Sequence, residues 1–165
     1  TARAASSPAP SPTSTPAPLP AGSPAPSGAL LLAGSPPTIL PVFTPSARAR
    51  LLVFWKGGCP ACDTALHLLS ADAEALRILA DVYAVRTASA GELPPSEPRL
   101  AEIPAIDSFD IGGEIARSLT LGTARPAAVL VSTEGAPVLP VAVGSDRIAE
   151  LLGVIAQAAS ERAAP

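Results

Sequence analysis

LLVFWKGGCPAC, residues 51–62, is the stretch that decides the fold of this chain. Its first five residues form a continuous apolar run of strand length, which is typical of a strand covered on both faces. Lys56 and two glycines end the run, and a segment with apolar residues at helical spacing begins at Cys59. Pro60 suits the first turn of a helix, where a backbone N–H is not needed. The stretch predicts a central strand that leads into a helix with both cysteines at its start.

The elements after this helix follow from the same patterns. The helix has a possible break at residues 70–72, and a second strand at 82–85 predicts a right-handed parallel crossover. A long surface segment is expected over 87–104, and a helix over 108–121, weakened at its start by two glycines. Two further patterns complete the domain: a hairpin of strands 127–131 and 138–143, and a last helix capped by Ser145 or Asp146. We expect an α/β fold, a mixed sheet of four or five strands with helices on both faces.

The first part of the chain differs in composition from the rest. Twelve of the 21 prolines fall within residues 1–46, among Ala, Ser and Thr. Such a segment buries too little apolar surface to offset the entropy of ordering it. We therefore predict a disordered Pro/Ala/Ser-rich spacer over 1–46 and one domain over 47–165, with residues 38–43 able to add an edge strand. Pro41 excludes a central place for that strand.

Charge and hydropathy exclude several classes of function. The net charge is −3 and the eleven basic residues are scattered, so no nucleic acid partner is expected. The apolar run at 29–33 is far shorter than the roughly 20 residues of a membrane-spanning helix. The sequence starts at Thr1 and contains no Met. We expect that an initiator, and with it a signal peptide or a membrane tether, precedes Thr1 in the natural protein.

Cys59 and Cys62 are the only cysteines, so any chemistry they perform is joint. A thiolate is the nucleophile in disulfide exchange, and the positive end of a helix dipole lowers the pKa of a cysteine placed there. Cys62 lies one turn further into the helix, within reach of a mixed disulfide formed at Cys59. The spacing predicts a redox-active pair in which Cys59 attacks and Cys62 resolves.

Metal binding is the rival interpretation of the two cysteines. A structural zinc site needs two further Cys or His ligands, and the single histidine, His67, is placed to face away from the pair. We therefore expect no metal and no cofactor beyond the cysteines. Two alternatives stay open: a module that binds or delivers copper(I) through the two thiolates, and an interaction domain without turnover.

Two segments carry a resemblance to a known family. Residues 54–62 (FWKGGCPAC) resemble the active-site segment of the thioredoxin superfamily, where an aromatic pair ends the central strand before the CxxC. Residues 122–135 (GTARPAAVLVSTEG) are similar to its second signature, a helix end, a cis-proline, a strand and a glycine turn. The resemblance implies that Pro126 is cis and faces the cysteines, that the backbone of Arg125 pairs with substrate, and that Trp55 packs beside the motif.

The resemblance also implies a role and a location. The Pro-rich leader and the long segment after residue 85 look like the extracytoplasmic, often tethered TlpA-type reductases, so we expect a periplasmic or secreted protein. Its partners would be protein thiols or disulfides and a redox-recycling partner, and we expect a monomer that acts as a reductase.

Three residues or pairs depart from the family pattern. Val53 stands where many thioredoxins have a buried acid, and Gly57-Gly58 leave the first sulfur open. Arg125 replaces a small or aliphatic residue, and it either points to solvent or lies near Cys59 and stabilises its thiolate.

Overall fold

The apolar run that begins at Leu51 lies in a central strand of a seven-stranded sheet in the computed structural model, which describes residues 25–163. The strands, in chain order, are β1 (Ala29–Leu32), β2 (Thr38–Pro41), β3 (Ala49–Phe54), β4 (Ala80–Ala88), β5 (Ile106–Ile111), β6 (Ala127–Val131) and β7 (Pro137–Val143). The helices are α1 (Pro60–Ala71), α2 (Ala73–Leu79), α3 (Glu114–Ser118) and α4 (Ser145–Ala163), with a short 3₁₀ helix at Pro98–Glu102. The expected mixed sheet with flanking helices is confirmed.

The sheet has the order β2-β1-β5-β4-β3-β6-β7. β3, β4 and β5 run parallel, and every other neighbouring pair is antiparallel. The predicted parallel crossover from β3 to β4 and the predicted β6–β7 hairpin are both present. β3 thus lies inside the sheet, with a parallel partner on one side and an antiparallel partner on the other.

Two apolar clusters cover the two faces of the sheet. On the first face, Leu51 and Val53 pack with residues of α1, α2 and α4. On the second face, Leu52 and Phe54 pack with α3 and with Leu30 of β1. Successive residues of β3 therefore serve opposite cores, as the alternation of side chains along a strand requires.

The N-terminal part of the domain differs from the prediction. The sheet has seven strands rather than four or five, and the two additional strands are β1, from the segment that we assigned to the spacer, and β5. β1 pairs with β5, and Leu30 is fully buried. The strand predicted near residues 38–43 is present as β2, at the edge. The domain therefore begins before residue 47, and residues 1–24 of the spacer predicted over 1–46 lie outside the described residues.

The helix predicted over 108–121 is wrong in its first half. Residues 106–111 form β5, which extends the parallel ladder beside β4. Gly112 and Gly113 follow with φ of 67° and 70°, a left-handed backbone that separates strand from helix. Helical residues begin only at Glu114. Pairing with β4 thus outweighs local helix propensity at residues 106–111.

The remaining helices agree with the sequence pattern. α1 ends at Ala71 and α2 begins at Ala73, so the expected break is present. The buried stripe of α4 consists of Ile148, Leu152, Ile155 and Ala159. Within residues 25–163, none of the helices combines the length and the apolar composition needed to cross a bilayer.

Candidate active site

Cys59 is the N-cap residue of α1. Its backbone is extended, with φ of −119°, and Pro60 occupies the first turn. The Cys62 amide donates a hydrogen bond of 3.2 Å to the Cys59 sulfur. A backbone amide of the first helical turn thus points at the sulfur, as it does at capping oxygens in other helices. The environment at this sulfur favours negative charge.

Cys59 and Cys62 form a disulfide, with their Cα atoms 5.2 Å apart. The two residues differ in burial: Cys62 is fully buried within the first-face core, whereas Cys59 is only partly buried. Gly57, Gly58 and Pro60 around Cys59 are exposed. Only one of the two sulfurs therefore lies where a partner can approach.

Trp55 lies beneath the motif, 1% exposed, in the same core as Cys62. Its amide donates to the Val85 carbonyl at 3.0 Å, which extends the pairing of β3 with β4. The Arg86 and Arg99 guanidinium carbons lie 5.0 and 5.7 Å from its ring centroid. Its indole N–H has no hydrogen-bond partner among residues 25–163. Trp55 thus packs in one core with Cys62, and its role toward a substrate stays a prediction.

Pro126 is buried, and the Arg125–Pro126 peptide bond is cis. Its carbonyl accepts a 2.9 Å hydrogen bond from Gly144, and the next residue, Ala127, pairs with Phe54 at the end of β3. Because the motif follows directly on Phe54 and Trp55, this pairing brings the Pro126 loop to the same end of the sheet as the cysteines.

The Arg125 side chain is held by hydrogen bonds on its own loop rather than directed freely to solvent, which was one of the two environments expected from the sequence. Its guanidinium is half-buried and donates to Thr87 Oγ1 at 3.1 Å and to the Ala124 carbonyl at 2.7 Å. It also lies 5.5 Å from the Phe54 ring centroid. Burial lowers the pKa of Arg125, and the nearby Asp110 carboxyl partly opposes that effect. These contacts hold it on the loop, so its effect on the Cys59 thiolate stays a prediction.

The sequence did not predict an ion pair between Arg86, near the end of β4, and Asp107 of β5. Arg86 and Asp107 are 3.1 Å apart, with side chains only 13% and 12% exposed. Arg86 also donates to the Pro95 carbonyl at 3.0 Å. The signal that could have found Arg86 is its place directly after the apolar run 82–85, because sites in such sheets gather at the carboxyl ends of parallel strands.

A second set of charges lies at the first turn of α1. Arg99 contacts Asp63 at 2.6 Å and Glu97 at 2.8 Å. The hydrogen bond from Arg99 lowers the pKa of Glu97. All three side chains reach solvent, so this network links the 3₁₀ helix to the cysteine helix at little gain in stability.

Val53 is fully buried, and it pairs with Ala84 and Ala128 on the neighbouring strands. An apolar environment therefore surrounds the position where many thioredoxins have an acid. His67 is exposed on α1. Across the described part of the chain, no three His, Cys, Asp or Glu side chains lie close enough together to hold a metal ion.

No family model and no curated protein sequence matches the chain. Among solved structures, the chain is similar to a Chlorobium tepidum protein assigned as the thiol:disulfide interchange protein DsbE. The identity is 25% and the TM-score 0.56, over 82% of this chain and 94% of that chain.

Two other similar structures are more distant in sequence. StoA from Bacillus subtilis is 16% identical with a TM-score of 0.54, over 79% of this chain and 98% of that chain. An exposed lipoprotein thioredoxin of Streptococcus pneumoniae is 17% identical with a TM-score of 0.53, over 77% and 99%. These similarities extend over more than three quarters of this chain. By its fold, this chain belongs with the thioredoxin-like proteins.

Proposed function

We propose that this protein is a thiol-disulfide oxidoreductase that reduces disulfides of partner proteins through Cys59 and Cys62. The observation that carries the proposal is the asymmetry of the pair. Cys59 caps α1 and is partly exposed, whereas Cys62 is fully buried one turn behind it. One sulfur can meet a substrate, and the other can meet only the first sulfur.

The reaction needs two exchanges. The Cys59 thiolate attacks one sulfur of a substrate disulfide, a mixed disulfide forms, and the first substrate thiolate leaves. Cys62 then loses its proton to water and attacks Cys59, which forms the internal disulfide and releases the second substrate thiolate. Two electrons pass to the substrate. A partner protein with a reduced dithiol must reverse both exchanges on this chain before the next turnover.

The Pro126 loop supplies a place for the substrate backbone. Arg125 and the cis-proline lie directly before the first residue of β6. The backbone amide and carbonyl of Arg125 make no main-chain hydrogen bond within residues 25–163. Free backbone groups at a strand end can pair with an extended segment. In this proposal Arg125 and Pro126 align the substrate with Cys59, and Trp55 supports the motif from below.

Direction and location rest on the neighbours. The similar structures include an interchange protein and an exposed lipoprotein thioredoxin. We infer that this protein works outside the cytoplasm, in a disulfide-permissive compartment, as a monomeric reductase. Glycines at 57 and 58 leave the sulfur open, which suits several client proteins.

Insulin reduction tests the proposed activity. The dithiol form should reduce insulin in the presence of dithiothreitol, and the Cys59→Ser variant should match the uncatalysed rate. Arg147→Gln, which alters an exposed residue of α4, is the matched control and should reduce insulin as the wild type does. Tight stoichiometric copper(I) binding without insulin reduction would favour the copper alternative instead, and wild-type activity of Cys59→Ser would leave the cysteines without a catalytic role.

A further inference from the structure

A cavity of about 720 Å³ opens beside the motif, at the end of the sheet that carries the cysteines. Trp55 and Gly57 from the motif line one side, and Arg125 from the Pro126 loop lines another. The volume is in the range of cavities that accept a small molecule or a few residues of a peptide. Any group that enters it lies next to a segment bound at Cys59.

The charges around this cavity have one sign. Its charged lining residues are all basic: Lys56, Arg86, Arg117 and Arg125. This is unexpected in a chain with a net charge of −3 and only eleven basic residues. A cavity lined by one sign of charge concentrates ligands of the opposite sign.

Two carboxyl groups on the sheet side of the cavity, those of Asp107 and Asp110, are already occupied by hydrogen bonds. Asp107 pairs with Arg86 and accepts a hydrogen bond from the Glu97 amide. Asp110 is fully buried and accepts hydrogen bonds of 3.0 Å from the amides of Ile115 and Ala116. These carboxyls fix the cavity wall and leave three of its cations to face an incoming ligand.

Lys56, Arg117 and Arg125 form no ion pair with the described residues. Residues 1–24 contain no Asp or Glu, so that segment brings no acidic side chain to them. Arg125 is held by Thr87 and by loop carbonyls, and Arg117 donates to the Gly112 carbonyl at 2.8 Å. Guanidinium groups held in this way are ready to bind carboxylates without much further loss of side-chain freedom.

We propose that this cavity binds acidic side chains of the substrate protein that flank its disulfide. The inference rests on the disulfide exchange proposed above and names the class of substrate. A peptide is the expected ligand because the cavity is continuous with Gly57 and Arg125, between which the segment joined to Cys59 must lie. The carboxylates add attraction during approach and hold the segment while Cys59 attacks.

Three matched peptides test the proposal. Each is a homodimer joined by one cystine, with the cysteine flanked on both sides by Glu, by Gln or by Lys. The dithiol form of the wild-type chain is mixed with each peptide, and the rate of disulfide reduction is followed by the fluorescence of Trp55. At low salt we expect the Glu peptide to react at least about tenfold faster than the Lys peptide, with the Gln peptide between them. Added salt should shrink the ratio.

Substitutions of residues that line the cavity test whether the preference for the Glu peptide arises there. Arg117→Glu and Lys56→Gln should both lower the ratio of the Glu rate to the Lys rate, the charge reversal more strongly. Arg147→Gln removes a cation on α4, which is not part of the cavity lining, and should leave the ratio unchanged. A ratio that falls equally in Arg147→Gln would assign the preference to overall charge and overturn the proposal.

The outcomes separate this inference from the proposed function. Equal rates for the three peptides would overturn the inference while the oxidoreductase proposal stands. Reduction of none of them, together with no reduction of insulin, would refute the function itself. Glutathione disulfide is a further probe, because it is a small disulfide that carries carboxylates. If it reacts as fast as the Glu peptide, and if Arg117→Glu slows both equally, the ligand is a small carboxylate disulfide and the peptide assignment is wrong.

Discussion

The two faces of the central sheet contribute different things to the site. The first face, covered by α1, α2 and α4, holds Cys62 and packs around it an apolar core. The second face, covered by α3, carries Phe54 under the Arg125 guanidinium and places Arg117 at the cavity. The motif crosses the end of the sheet between them.

This difference separates reactivity from recognition. On the first face, helix geometry and burial distinguish one sulfur from the other. On the second face, basic side chains line the cavity, and hydrogen bonds fix Arg125 to its loop and Arg117 to the Gly112 carbonyl. Substitutions at the cysteines on the first face should therefore affect turnover. Substitutions on the second face should affect either the stability of the cavity wall or the choice of substrate.

The largest effect is expected on the first face, at Cys62. Cys62→Ser removes the resolving sulfur, so the mixed disulfide between Cys59 and the substrate should accumulate, and turnover should fall by at least about a hundredfold. Mass spectrometry of the adduct checks this. Cys59→Ser is the matched control and should give no adduct, because its remaining sulfur is buried. Adduct at Cys62 in that control would reverse the assigned roles.

The next effect concerns the N-terminal edge that supports the second face. Leu30 is fully buried in the second-face core, whereas Ile39 is 70% exposed on β2. Leu30→Ala should lower the free energy of unfolding by about 2–5 kcal/mol. Ile39→Ala should change it by about 0.5 kcal/mol or less. Urea denaturation measures both, and equal values for the two variants would show that β1 does not belong to the core.

A similar test addresses the wall of the cavity. Asp110 accepts two amide hydrogen bonds at the start of α3 while fully buried. Asp110→Ala leaves both amides without a partner and should lower the free energy of unfolding by about 1–3 kcal/mol. Asp110→Asn keeps one acceptor and should cost less. Denaturation curves compare them, and an unchanged midpoint in Asp110→Ala would contradict the supporting role.

The smallest effect is expected for the charge of Arg125, a residue of the second face, on the thiolate of Cys59 at the start of α1. Removing the Arg125 charge makes the Cys59 thiolate less favourable, which lowers the redox potential of the pair. Because Arg125 is bound to Thr87 and Ala124, we expect Arg125→Leu to lower the potential by less than about 30 mV, or ~1.4 kcal/mol. Equilibration with glutathione measures it. An unchanged or raised potential would contradict this role of the charge.

The sequence predicts the parts of this molecule that depend on local pattern. The apolar run of β3, the helical spacing after Cys59 and the stripe that begins at Ile148 each follow one rule of periodicity. The position of the cysteines at a helix start follows from Pro60 and the preceding glycines. These features fix the centre of the sheet and the reactive pair.

The parts that the sequence did not predict depend on contacts between distant residues. β5 contains Ser108 and Asp110, both fully buried, and Ser108 is satisfied by the Ala84 carbonyl at 3.1 Å. Because hydrophobic periodicity treats such polar residues as exposed, the sequence pattern predicts a helix over residues that belong to β5. β1 is four residues long and is stabilised by its pairing with β5, which no local pattern shows. Arg86 and Asp107 likewise meet only after β4 and β5 align.

Alkylation of the reduced protein tests the central claim most directly. The rate of reaction with iodoacetamide is measured against pH, and peptide mass spectrometry identifies the modified residue. The account predicts modification of Cys59 alone, with a half-maximal rate at least about one pH unit below the ordinary thiol value of about 8.5. Modification of Cys62 first, or a Cys59 profile with the ordinary thiol value, would contradict it.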